Sequence, residues 1–393
     1  MFKVSDPLGG IGPLQGAALV LFPFCLPLLL LPPLQIIGFV LFIVVYFWIL
    51  LAFLATEVAI RPPWYKHGKE WKSLPIDNIP EYWQGIFHDP KYDLGLEFED
   101  VEFSTLGQCK LRGWFVPSSN PAAKVGIVTV HGGGRDRRAF LRHVPIFHRE
   151  GYPVMLFDIS DHGLSDGNSR GFTYGTREQF DVLAAVAYMR SRGIEKVVCL
   201  GTSMGASSVI LAGARSRTID AIIAENPLTR PEELLTHHLG RTLSNYLPSR
   251  RVDRIVQSLF IMIAGRILLW RIGNVSLWKV WEKGRGAVDV VSAIQCPILL
   301  MHGSVDEIVP VQDSERIFSA AHEPKYLWIA KDAWHCALYD KYPDEYKERV
   351  ISFLHKHADP RPVSSEEEKC GGEVCASESV FAISEPAPVA AHG

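Results

Sequence analysis

The run Val197-Val198-Cys199-Leu200-Gly201-Thr202-Ser203-Met204-Gly205-Ala206 sets a serine at the centre of a G-x-S-x-G pattern. β-branched and apolar residues lead into it, and Val209, Ile210, Leu211 and Ala212 follow. That order reads as strand, sharp turn, helix. A serine at such a corner projects its hydroxyl above the carboxyl end of a sheet, and the flanking glycines let the backbone close up where a Cβ would collide. The chemistry this suits is nucleophilic attack on a carbonyl, with the Met204 N–H beside Ser203 aimed at the oxyanion that develops. The same letters also occur by chance at helix starts rich in small residues, so the surrounding elements decide what Ser203 means.

Those elements alternate. Leu96 to Ser104 and Lys110 to Val116 read as a hairpin turning at Leu106-Gly107-Gln108. Lys124 to Val130 is a buried strand ending in His131-Gly132-Gly133-Gly134, with a helical stretch from Arg135 to Glu150. Pro153 to Ile159 is another strand and runs into the polar turn Asp158 to Gly167. Thr176 with Gln179 predicts a capping box for a helix whose apolar face is Phe180, Leu183, Ala184 and Ala187. Strands at Ile219 to Ala224, Pro297 to His302 and Lys325 to Ala330 follow, then a closing helix from Tyr339 to Lys356. Strands alternating with helices predict an α/β fold with a mostly parallel sheet covered on both faces.

Two stretches depart from that alternation. From Ala17 to Ala55 no side chain is charged, and Leu34 to Ala55 alone is long enough to span a hydrocarbon core. Pro32 and Pro33 divide the segment, which fits either a helical hairpin or one spanning helix preceded by an interfacial segment. Arg61, Lys66, Lys69 and Lys72 follow it while Lys3 alone precedes it, so the positive-inside rule places the carboxyl side in the cytosol. The aromatic residues Trp64, Tyr65 and Trp71 suit an interfacial belt or packing against the following domain. The Asn274-Val275-Ser276 sequon is the one feature pointing the other way. The second departure is a helix-like insertion, read as a cap over the sheet, whose dense apolar runs Leu259 to Ala264 and Ile267 to Trp270 must bury, line a cleft or meet lipid. The expected organisation is a membrane anchor over 1–60, a connector over 61–95, the core over 96–226 and 290–359, the cap over 227–289, and a tail over 360–393 too poor in large apolar residues to order itself.

Composition excludes other classes. The net charge of -3 offers no basic field for nucleic acid, so none is expected as a partner. The 7 cysteines are odd in number and show neither zinc spacing nor a dense disulfide framework. The glycines at 132–134 lack a following G-K-[ST], which argues against nucleotide binding.

Taken together, the His131 to Gly134 turn, the Asp158 to Gly167 run, the Gly201 to Gly205 elbow, Gly303-x-x-Asp306-x-x-Val309-Pro310 and His335 resemble an α/β-hydrolase. The resemblance covers Leu96 to His357 and is to membrane-anchored serine hydrolases of prolyl-oligopeptidase-like and depalmitoylase-like type. It implies Ser203 as nucleophile, His335 as base and Asp306 as the carboxylate that orients the base. It implies an oxyanion hole from the N–H groups of Met204 and Gly133, with Gly134 as the alternative donor. Glu307 and Asp332 are rival acids. His131 and His162 are expected to be structural, although Ser160 and Asp161 differ from the residues usual before His162, and Trp334 replaces the small residue usual before the base. No metal and no organic cofactor are implied.

The leading expectation is a membrane-tethered serine hydrolase acting on an ester, thioester or amide, with lipid-like or acylated substrates favoured by the tether. A peptidase is the rival within the class. A membrane-anchored binding protein on an inactive hydrolase fold is the rival outside it.

Overall fold

The computed structural model describes residues 32–62, 65, 88–167, 171–246, 251–279 and 282–359. The expected first apolar segment Ala17 to Leu31, Trp64 and Trp71, most of the connector and the tail 360–393 lie outside these residues. Internal contacts divide the chain into two compact units: Met1–Trp64 with Pro231–Gly284, and Tyr65–Arg230 with Arg285–Gly393.

In the first unit the apolar helix α1 (Pro32–Ile60) is long and apolar enough over Gln35–Ile60 to cross a membrane. The second unit carries α2 (Glu178–Ser191) and α3 (Met204–Arg215). The insertion supplies two helices to the first unit, α4 (Pro231–Tyr246) and α5 (Arg251–Arg271). α5 packs along α1: Trp48 meets Phe260 edge-on at 5.7 Å, and Thr56 Oγ1 donates to the Ala264 carbonyl at 3.2 Å. The Arg271 guanidinium pairs with Glu57 at 2.6 Å. Leu268 and Leu269, in the dense apolar runs, are buried, while Ile255, Leu259 and Met262 stand exposed at i, i+4 and i+7 on one stripe of α5.

The second unit holds an 8-stranded sheet in the order β1-β2-β4-β3-β5-β6-β7-β8. Its strands are β1 (Glu99–Ser104), β2 (Lys110–Val116), β3 (Val125–Val130), β4 (Val154–Phe157), β5 (Lys196–Thr202), β6 (Ala221–Glu225), β7 (Ile298–Gly303) and β8 (Lys325–Ala330). β1 and β2 run antiparallel to their neighbours, and from β4 to β8 all pairs are parallel. The alternation of side chains along each strand feeds two cores. On one face Val128, Val130, Val197 and Cys199 pack with Val182 and Val186 of α2, Val209 of α3, and Ile317 of α6 (Val311–Ala320). On the other, Val125, Ile127, Val198 and Leu200 pack with Phe140, Leu141 and, from α7 (Pro343–His357), Val350 and Phe353. This double burial is why β3 and β5 read as continuous apolar runs rather than alternating ones.

The structure differs from expectation at several boundaries. β1 begins at Glu99 rather than Leu96, and β6 spans Ala221–Glu225. The inserted unit is narrower than 227–289, because both its ends are tied into the sheet-bearing unit. Thr229 gives its N–H and hydroxyl to the buried Asp313 carboxylate, and Arg230 pairs with Asp289. The predicted capping box at Thr176 does not form: Gln179 turns its amide to the Thr176 carbonyl. The buried Glu178 carboxylate takes the Thr173 N–H, the Thr173 hydroxyl and the Gly175 N–H instead, three donors that outweigh one reciprocal cap.

Parallel register brings strand ends level. Val130 pairs with Gly201, Thr202 with Glu225, Glu225 with Met301 and Gly303 with Ala330. The residues that follow these strands therefore emerge along one edge of the sheet.

Candidate active site

Ser203 leaves β5 and enters α3 with φ 54 and ψ -121, a conformation that L-residues rarely adopt and that costs on the order of 1–3 kcal/mol. Its N–H donates to the Glu225 carbonyl at 2.8 Å, which holds the corner against the neighbouring strand. The glycines are required by contact: a Cβ on Gly205 would stand 2.1 Å from the Val130 carbonyl oxygen, and one on Gly201 2.4 Å from the Gly205 oxygen.

The turn after β3 lies over this corner. A Cβ built on Gly132 would be 3.1 Å from Ser203 Cβ and 3.7 Å from its Oγ. His131 is fully buried, with Nδ1 2.9 Å from the Gly132 carbonyl and Nε2 accepting from the Ile159 N–H at 3.2 Å. Burial pushes its pKa down, which suits the neutral acceptor that bond requires. His162 likewise places Nδ1 2.9 Å from the Ser160 carbonyl, while its Nε2 takes the Gly134 N–H at 3.1 Å. Both histidines thus have the structural roles expected. Gly134, the alternative oxyanion donor, has its N–H engaged by that bond and is set aside. The Gly133 N–H makes no hydrogen bond among the described residues, and the Met204 N–H lies in the first helical turn, where no preceding intrahelical carbonyl is available.

Across the sheet edge, the loop after β7 presents Asp306 and the loop after β8 presents His335, with Nδ1 of His335 2.6 Å from Asp306 Oδ2. The Asp306 side chain is fully buried and that of His335 is 13% exposed. Asp306 Oδ1 accepts the Ile308 and Val309 N–H groups at 2.8 and 2.9 Å. Burial alone would raise the Asp306 carboxyl, but hydrogen bonds from His302 and His335, the His335 charge and the Val309 N–H hold it well below the usual carboxylate range. Of the rival acids, Glu307 and Asp332 are exposed, and neither bonds His335. No hydrogen bond joins Ser203 Oγ to His335 in this geometry, and His335 Nε2 is unengaged among the described residues. Trp334 stands exposed with its ring edge-on to His335, at 6.4 Å between centroids.

Asn226 is a further member of the site that no sequence motif marks. Directly after β6, fully buried and at φ 53, it donates Nδ2 to Asp306 Oδ2 at 2.6 Å and accepts the Cys336 N–H at 3.2 Å on Oδ1. One side chain thereby spans the acid and the residue after His335. Its only sequence signal is its place in Glu225-Asn226-Pro227 at a strand end, which gives no hint of a partner in the loop after β7.

This sheet order, with a strained serine after β5, an acid after β7 and a histidine after β8, defines an α/β-hydrolase fold. Residues 121–342, more than half of the chain, match the family described as serine aminopeptidase, S33, and the chain belongs to that family. The chain is similar to the uncharacterized protein YfhR of Escherichia coli (strain K12), 27% identical over 271 residues covering 67% of this chain and 82% of that protein. It is also similar to the polyketide transferase ATR5 of Stachybotrys chlorohalonatus, 34% identical over 276 residues, with coverages of 60% and 89%. Among solved structures, the Pyrococcus furiosus esterase PF2001 shares the fold, with a TM-score of 0.54 at 24% identity and coverages of 69% and 94%.

Proposed function

We propose that the chain is a membrane-tethered serine hydrolase that cleaves an ester, thioester or amide through an acyl-enzyme intermediate. The observation that carries the reading is the Asp306-held imidazole, its Nε2 unspent, on the same sheet edge as a serine strained into the elbow conformation. In the first step Ser203 Oγ bonds to the substrate carbonyl carbon while His335 Nε2 takes the hydroxyl proton. The oxyanion forms against the N–H groups of Met204 and Gly133, and Asp306 stabilises the imidazolium. Collapse breaks the bond to the alcohol, thiol or amine, which leaves with the His335 proton. Water, deprotonated by His335, then releases the acid and restores Ser203. The family's description supports a serine nucleophile and keeps amides within the substrate class. In α1 the residues Ile36, Ile37, Val40, Leu41, Val44 and Val45 are exposed, and a bilayer is the medium that suits such a surface. The basic residues after α1 in sequence favour a catalytic unit facing the cytosol, and a tether favours lipid-like or acylated substrates.

The test is labelling of the full-length chain by a fluorophosphonate probe, followed by competition with acyl esters, acyl thioesters and peptides. Wild type should label and Ser203→Ala should not, with the competitors ranking the substrate classes. Equal labelling of both, or none of wild type, overturns the assignment. Glycan addition at Asn274 would reverse the orientation.

A further inference from the structure

The loop that carries His162 needs holding. His162 lies between Asp161 at φ 60 and Gly163 at φ 49, so a left-handed residue flanks it on each side. Left-handed backbone is unfavourable for a non-glycine residue such as Asp161 and persists only where surrounding contacts impose it. A Cβ on Gly163 would fall 2.2 Å from Asp158 Cγ, so the loop is also pressed against a buried carboxylate.

One side chain holds both Asp161 and His162. Tyr65 Oη donates to the Asp161 carbonyl at 3.1 Å, while its ring lies against the His162 ring at 5.0 Å between centroids. Phe172 completes the cluster, stacked on His162 at 4.8 Å and 5.2 Å from Tyr65. The cluster reaches the turn over Ser203 at two points. His162 Nε2 holds the Gly134 N–H, and a Cβ on Gly133 would stand 3.3 Å from Phe172. With the Gly134 N–H tied down, the orientation of the preceding peptide, and so of the Gly133 N–H, depends on where His162 sits.

We propose that Tyr65 is a positioning residue for the oxyanion turn: it fixes His162, and through His162 the backbone donor at Gly133. The inference rests on the serine-hydrolase reading and assigns a part of that machinery to the stretch following α1 in sequence, outside the residues that match the family. Oxyanion donors act by being preorganised where charge develops in the transition state, so a loosened turn should slow the chemical step and leave ground-state binding nearly unchanged.

The experiment uses the full-length chain, the labelling rate with a fluorophosphonate probe, and kcat and KM on p-nitrophenyl butyrate. Because loss of an oxyanion donor costs on the order of 100-fold or more, Tyr65→Ala, which displaces a donor without removing it, should lower kcat and labelling rate by about 10-fold or more with KM within about twofold. Tyr65→Phe keeps the ring and loses the hydroxyl bond to the Asp161 carbonyl, and it should recover to within about threefold of wild type. His162→Ala should slow the reaction at least as much as Tyr65→Ala, and the double variant should be no slower than His162→Ala alone. Wild-type rates in Tyr65→Ala, a loss confined to KM, or additive losses in the double variant overturns the proposal. Should Tyr65→Ala not fold, Tyr65→Leu decides: its slowing must appear with His162 present and vanish in the His162→Ala background. Labelling of wild type at Ser203 is read first, so failure of the hydrolase reading, which would remove this inference with it, is distinct from failure of the Tyr65 assignment.

Discussion

Two buried aspartates, on the loops after β4 and after β7, meet the same electrostatic problem with different partners. Asp158, after β4, receives Arg137 through its backbone N–H at 2.7 Å and its guanidinium at 2.7 and 3.1 Å, together with the Leu164 N–H at 2.8 Å. Asp306, after β7, likewise receives two backbone N–H groups, plus Asn226 and His335. Both side chains are fully buried, and neither could stay charged there without such partners. What separates them is the partner's remaining capacity. A guanidinium cannot give up its proton, so the Arg137 pair is spent on shape. An imidazole held at Nδ1 keeps Nε2 for proton transfer. A buried, well-bonded carboxylate is therefore not by itself a mark of catalysis; under the proposed function the distinction lies in the group it holds.

The difference can be pressed in both directions. Asp306→Asn should leave the fold standing and lower kcat on a reactive ester by about 10⁴, because the imidazole loses its tautomer control and the charge that stabilises its protonated form. Asp158→Asn should do the reverse, costing about 3–5 kcal/mol of stability by leaving the buried Arg137 charge uncompensated. Denaturant unfolding read beside kcat separates the two, and exchanged outcomes would break the comparison.

Glu225 shows burial with less help. Burial pushes its carboxyl up to about 7, with Arg142 acting in the opposite sense. A carboxyl raised above its unfolded value is stabilising while protonated. Its contribution is thus full below about pH 4.5 and is lost as pH climbs toward about 7, by roughly 3 kcal/mol across that window. Glu225→Gln should flatten the fall of thermal midpoint over that range, whereas an unchanged slope would assign it to another group. The smallest effect is expected at Asn226→Ala, which leaves Asp306 and His335 facing each other but removes the bridge to Cys336. A drop of about 10-fold in kcat with little change in KM is expected, from the loss of about one charge-assisted hydrogen bond.

How far the sequence reaches differs element by element. β3 and β5 are legible because a strand covered on both faces is apolar throughout, and the elbow is legible because its turn chemistry is local: Gly201 is forced by backbone contact within five residues, although Gly205 is forced by Val130 of β3. Local reasoning failed at Thr176, where a capping pattern was present and a buried carboxylate nearby offered more hydrogen bonds than the cap. It also missed the company of the insertion: the apolar runs of α5 announce burial, but nothing in them names α1 as the partner that Phe260 and Arg271 meet.

The sequence by itself determined the alternating α/β architecture, the strand-turn-helix at Ser203, the structural character of His131 and His162, and the order of serine, acid and histidine. The first two follow from side-chain period and turn chemistry within a short window, and the last two from the resemblance to α/β-hydrolases. Only the tertiary structure decided that Asp306 rather than Glu307 or Asp332 meets His335, that Asn226 braces both loops, that the Gly134 N–H is taken by His162, and that Tyr65 grips the loop beneath it. Those choices are hydrogen bonds and ring contacts between residues from about 30 to about 100 positions apart. A bond of that kind depends on the pairing of strands far apart in the chain, which delivers their loop ends to one edge, and that pairing is a property of the folded sheet that no short window of sequence carries.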